Sequence, residues 1–64
     1  MRILGIDPGL TRTGFGIIDI NEDSLKLIDF GIIKPKNTDK LERRLLTIFN
    51  DMSEIIKKYN PTVV

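Results

Sequence analysis

The 64-residue chain has no cysteine and no histidine. No disulfide framework, no Cys/His zinc site and no imidazole base is available to it. The lack of cysteine fits a reducing compartment, and a cytoplasmic location is expected. There is no strong charge of either sign. Ten basic residues stand against nine acidic ones, a formal +1, which neither announces nor excludes a nucleic-acid partner. Long hydrophobic runs are missing too. No apolar stretch approaches the roughly 20 residues of a membrane span, and Met1-Arg2 leads straight into a strand-like run, so neither a membrane segment nor a signal peptide is expected. Length itself is scarce. A chain this short forms one small domain at most and buries only roughly 60% of its unfolded surface. Internal repeats and low-complexity tracts are absent.

What is present is organised around Ile3 to Gly16. The apolar run Ile3–Ile6 reads as a buried strand that ends on a charged group, Asp7. Pro8 and Gly9 then break the ladder, because proline has no N–H and glycine tolerates unusual backbone angles. Gly14 and Gly16 bracket Phe15 at the head of a second apolar run, Ile17–Ile20. A carboxylate that ends one strand of a hairpin stands on rigid scaffold and still meets solvent. That suits a metal ligand.

In chain order, strands are predicted over Arg2–Asp7, Thr13–Ile20 and Leu25–Ile33. Asn21-Glu22-Asp23-Ser24 is expected to be a four-residue hairpin loop. Gly31 marks either a bulge or a close approach. The second and third strands carry apolar residues at both parities, which predicts cover on both sheet faces. Pro35 interrupts a connector. Asp39-Lys40-Leu41-Glu42 then has the form of a capping box, with Asp39 or Thr38 as N-cap. Leu41, Leu45, Ile48, Phe49, Met52, Ile55, Ile56 and Tyr59 recur at spacings of three and four. They predict an amphipathic helix over Leu41–Tyr59 whose apolar stripe is core. Asp39–Arg43 and Glu54–Lys58 are spaced to pair, and Asn60-Pro61 stops the helix. Thr62-Val63-Val64 starts what reads as a fourth strand. Three antiparallel strands, one helix and the start of a fourth strand make part of an α/β sheet. The chain is therefore expected to be an N-terminal piece of a larger α/β domain.

Gly5-Ile6-Asp7-Pro8-Gly9, then Thr13-Gly14-Phe15-Gly16, resembles the start of the RuvC family of Holliday junction resolvases. The helix ending in Asn60-Pro61 before Thr62-Val63-Val64 is similar to the same family's lead-in to its fourth strand. The resemblance covers essentially the whole chain. It implies a ribonuclease H-like α/β fold, with residues 1–64 as the N-terminal portion of a single nuclease domain. It implies a homodimer that cuts two strands of a four-way DNA junction symmetrically in recombination and repair, with junction branch-migration proteins as partners. It also implies Mg²⁺-dependent phosphodiester hydrolysis by four carboxylates. Only the first maps onto this sequence, as Asp7, in the role of catalytic residue and metal ligand. The second would lie just past Val64 and the other two on a late helix, so these 64 residues alone are expected to be inactive. Two-metal hydrolysis needs ions about 3.5–4 Å apart, and one carboxylate does not assemble that pair.

Plainer readings stand beside this one. An aspartate before Pro-Gly is also a common turn residue. Thr11 and Arg12 fit a solvated loop first and a phosphate contact second. Asp19 and Glu22 flank a hairpin, Asp39 and Glu42 sit at a helix start, and Asp51 and Glu54 lie on its wet face. Two other function classes fit. One is an actin-like or sugar-kinase-like ATP-binding domain, with Asp7-x-Gly9-x-Thr11 as its phosphate loop. Pro8 and Leu10 stand where that loop usually has small residues. The other is a non-enzymatic piece that oligomerises through exposed apolar surface.

Overall fold

The structure is a computed structural model that describes residues 1–64. It contains β1 (Arg2–Asp7), β2 (Thr13–Asn21), β3 (Ser24–Ile33) and α1 (Leu41–Tyr59). The strands form one antiparallel sheet in the order β1-β2-β3. The β1–β2 turn is drawn tight by Thr13, which is buried. Its hydroxyl donates to the Gly9 carbonyl (3.0 Å) and lies 3.3 Å from the Gly9 N–H, which donates back to it. A side chain at position 9 would place its Cβ 2.4 Å from the Arg12 carbonyl oxygen. Only glycine lets this loop close.

The β2–β3 hairpin is tighter than expected. Asn21 pairs with Ser24, so the loop is Glu22-Asp23 alone and both strands gain a residue there. Neither loop residue has positive φ, so this is not the primed turn that two-residue hairpins favour. Further along, Ile17 faces Asp29 while Ile18 faces Leu27, which leaves Ile28 as the extra residue of a bulge. The bulge lies three residues before Gly31. Gly31 itself is the close approach: a Cβ there would sit 2.9 Å from the ring of Phe15, its partner across the ladder.

That bulge corrects the parity reading of β3. A strand alternates faces with period two, and one inserted residue shifts the phase. Leu25 and Leu27 pair with Ile20 and Ile18, while Phe30 and Ile32 pair with Gly16 and Gly14. All four therefore share one sheet face, although their numbers differ in parity. They are 55–71% exposed there. The opposite face carries the core. Leu4, Ile17 and Ile33 are nearly inaccessible, and α1 lies over them.

The helix bounds agree with the sequence periodicity, but its start and its packing do not. The N-cap is Lys40, with no side-chain cap. Asp39 instead donates its N–H to the Lys36 carbonyl in a preceding turn (3.0 Å), and the Lys40 carbonyl accepts from Arg43 and Arg44. Asp39 and Thr38 are therefore turn residues, and the capping box does not form. At the other end Asn60 adopts the left-handed conformation and donates to the Ile56 carbonyl (2.8 Å), ahead of Pro61. Neither Asp39–Arg43 nor Glu54–Lys58 closes, since Arg2–Asp19 is the chain's one ion pair. No helix residue is fully buried. Ile48, Met52, Ile55 and Tyr59 are half-buried. Leu45 and Phe49, expected in the core, are 49% and 67% exposed. The apolar stripe is wider than the surface beneath it. Phe49 and Ile56 overhang the β1 side, where they line an apolar recess with Ile6, Pro8 and Met52.

Thr62 and Val63 return to that free edge of β1. Val63 bridges Ile3 in parallel. Leu4 donates to the Val63 carbonyl (2.9 Å), and Thr62 donates to the Arg2 carbonyl (2.8 Å). β1 thus lies between β2 and the Thr62-Val63 segment, which meets it through a single parallel bridge.

Candidate active site

Asp7 is the last residue of β1, and it is exposed. Ile6, its neighbour, lines the recess under α1, so alternation turns Asp7 to the face away from the helix. There it pairs with Gly14, where an added Cβ would lie 3.7 Å from the Asp7 Cβ. Gly5 pairs with Gly16 one step back. The floor beside Asp7 is therefore free of side chains. No hydrogen bond engages its carboxylate within the chain, unlike the turn aspartates that bond their own backbone.

The chemistry of this donor suits Mg²⁺, which takes hard oxygen ligands and retains several waters. Asp7 fits as one such ligand. No group of three or more acidic residues stands together anywhere in these 64 residues. Thr11 and Arg12 are exposed. In the phosphate-loop alternative, Pro8 has no N–H to offer and that of Gly9 is taken by Thr13.

Sequence reasoning missed a polar clasp at the other end of β1. Arg2 grips Asp19 with two hydrogen bonds, Nε at 2.7 Å and Nη2 at 2.9 Å. Its third nitrogen donates to the carbonyl of Tyr59 (3.0 Å). The Arg2–Asp19 hydrogen bonds, and then the attraction between the two charges, hold the Asp19 carboxyl below the usual range and raise Arg2. Tyr59 donates its hydroxyl to Asp29, which also accepts from the Phe30 N–H. Both bonds hold the Asp29 carboxyl low. Thr62 Oγ1 accepts from the Arg2 N–H (3.1 Å) and donates to the Arg2 carbonyl (3.0 Å). One signal was available in the sequence: Asp29 is a carboxylate set among the apolar residues Leu27, Ile28 and Phe30 of β3. The clasp fixes the turn after α1, and with it the register of Thr62-Val63 on β1.

Comparison with known proteins gives a consistent result. The family model for crossover junction endodeoxyribonuclease RuvC matches residues 3–64. The RuvC protein of Prochlorococcus marinus strain NATL2A is 61% identical over 61 residues, which cover 95% of this chain and 40% of the relative. That of Clavibacter michiganensis is 43% identical over 65 residues, covering the whole chain and 32% of the relative. Among solved structures, RuvC of Thermus thermophilus superposes with a TM-score of 0.87 at 24% identity. The same protein in complex with a Holliday junction substrate superposes with 0.88 at 26% identity. Both alignments cover 98% of this chain and 40% of the other. The chain thus spans about 40% of the length of several curated relatives it matches. Its sheet and helix have the ribonuclease H-like arrangement of the N-terminal part of RuvC. On sequence and fold together, the chain belongs to the RuvC family of crossover junction endodeoxyribonucleases.

Proposed function

We propose that residues 1–64 are the N-terminal portion of a single ribonuclease H-like nuclease domain. The longer protein that carries them is a DNA endonuclease resolving four-way junctions by Mg²⁺-dependent phosphodiester hydrolysis, with Asp7 as a metal ligand. The observation that carries this reading is the placement of Asp7: a free, exposed carboxylate at a strand end, on an open sheet face floored by glycine. The register of Val63 on Ile3 supports it. Continued in that register, the third residue past Val64 comes alongside Asp7 on the same face, where a second acid would complete a ligand pair.

The chain's own residues supply position and charge. β1 is held on both sides, by β2 and by Thr62-Val63, so the Asp7 carboxylate is presented from a rigid strand end. The bare floor of Gly5, Gly14 and Gly16 lets a phosphodiester approach the sheet closely. When bound, the metal ions would neutralise the phosphate and activate a water for attack. A junction has two equivalent strands to cut, so a homodimer is the matching assembly.

The test uses the longer protein and a synthetic four-way junction. Paired, symmetric cuts in Mg²⁺ and none in chelator are expected. ATP binding without cleavage would overturn the reading in favour of the phosphate-loop alternative.

A further inference from the structure

The loop that follows Asp7 and the connector that follows β3 lie at the same end of the sheet, since Thr13 pairs with Ile33. Between them is a recess lined by Thr11, Lys34, Pro35, Lys36 and Asn37. Two ammonium groups, a hydroxyl and an amide are present, and no carboxylate lines it. Lys34 and Lys36 make no ion pair. Pro35, between them, is buried, so the two lysines flank a fixed point of backbone. The recess at the start of α1 differs, because it mixes Lys40 and Arg43 with Asp39 and Glu42.

Charge is unevenly divided along the molecule. The Asp7 end, comprising the β1–β2 loop, the connector and the first turn of α1, carries Arg12, Lys34, Lys36, Lys40, Arg43 and Arg44. Its acids are Asp7, Asp39 and Glu42, for a net +3. The remaining residues sum to −2. Lys34 also borders a second recess that holds Asp51, Glu54 and Lys58 beside Ile32 and Ile33. Those two carboxylates repel a polyanion from the β3 edge of the helix and leave the path across the top of the sheet, toward Asp7.

We infer that the Thr11–Lys34–Lys36–Asn37 recess is a phosphate subsite that holds the DNA backbone a few nucleotides from the bond cut at Asp7. Ile32 lies two strand positions from Asp7 through Gly14, and Lys34 follows two residues later. At ~4.8 Å per strand and ~3.4 Å per residue, the backbone of Lys34 is about 12 Å from that of Asp7. The backbone of a DNA strand rises ~3.4 Å per nucleotide along its axis and also winds round it, so this distance is spanned within a few nucleotides. The subsite reads no base. It contributes affinity and strand direction, because contacts to phosphate position a nucleic acid without specifying its sequence.

This inference rests on the nuclease reading for its DNA partner, and one experiment separates the two. Binding of the longer protein to an immobile four-way junction is measured in EDTA across a salt series, and cleavage is measured separately in Mg²⁺. The variants are Lys34→Gln/Lys36→Gln and, as an equal charge loss at the other end, Lys26→Gln/Lys57→Gln. Each phosphate contact contributes about 0.9 to the salt slope of affinity. The first pair should lower the slope by about 1 to 2 and weaken binding of order tenfold or more at ~0.1 M salt. The control pair should change neither. An unchanged slope for Lys34→Gln/Lys36→Gln, or an equal loss in the control, would overturn the subsite and leave the nuclease reading standing. The expected slope change without any cleavage would keep the subsite and remove the nuclease reading. Failure of the parent protein to bind the junction would remove both.

Discussion

Asp7→Asn in the longer protein separates catalysis from folding. The structure gives the Asp7 carboxylate no hydrogen bond, no ion pair and an exposed position. Asparagine keeps its size, and Gly14 leaves room beside it. Exposed changes of this kind usually stay within about 0.5 kcal/mol. In a protein of 150–250 residues that is about 1–2 °C in Tm. Metal binding is a different matter. Removing even an outer partner of a metal ligand typically costs about 10–100-fold in metal affinity or activity. Loss of a ligand's charge should cost at least about 100-fold in cleavage. Junction affinity in chelator should hold or rise slightly, since one repulsive charge near the DNA is gone and basic groups dominate binding. Three measurements are needed: a thermal melt, junction affinity in EDTA, and cleavage over a Mg²⁺ titration. Cleavage within tenfold of the parent would remove Asp7 from the site. Loss of binding and cleavage together, with a Tm lower by more than about 5 °C, would show that Asp7 acts in folding.

Thr62→Val keeps the strand-forming shape but deletes the two hydroxyl hydrogen bonds to the Arg2 backbone, leaving that of the Thr62 N–H. Hydrogen exchange at the Leu4 amide should quicken and Thr62→Ser should restore it; unchanged protection would show that the Thr62 hydroxyl does not hold Thr62-Val63 on β1. Gly31→Ala pushes a Cβ into the Phe15 ring and should destabilise by about 1 kcal/mol through overpacking. Gly16→Ala meets nothing within 4 Å, so equal melting of the two variants would refute the close-approach role. Asp19 and Asp29 have lowered folded pKa values. Between the folded and unfolded values the unfolded chain binds more protons, so their stabilisation is present above about pH 4 and is lost as pH falls through the folded values. Denaturant melts from pH 6 to pH 2 should show this fall, less steeply in Asp29→Asn; identical acid limbs would exclude Asp29 as a contributor.

Much of this architecture was legible from local pattern. The apolar runs located three strands, the three-and-four spacing gave Leu41–Tyr59, and Asn60-Pro61 marked the helix end. Asp7 was recognisable as a carboxylate at a strand terminus because Pro8-Gly9 breaks the ladder there. These features depend on neighbours within a few residues, and chain order alone encodes them. Other features depend on partners distant in sequence. The bulge at Ile28 arises from pairing with β2, and it puts Leu25, Leu27, Phe30 and Ile32 on one face despite their parity. Lys40 is the N-cap because the turn before it engages the Asp39 N–H, so a local capping signal lost to a longer-range constraint. Leu45 and Phe49 have core spacing, yet the width of the sheet under α1 decides which part of the stripe is covered. The Arg2–Asp19 and Tyr59–Asp29 bonds join residues 17 and 30 positions apart. The bridge of Val63 to Ile3 joins residues almost the whole chain apart. Periodicity records which residues seek cover. Only the folded pairing determines what covers them and which carboxylates find a donor, as Asp19 and Asp29 do.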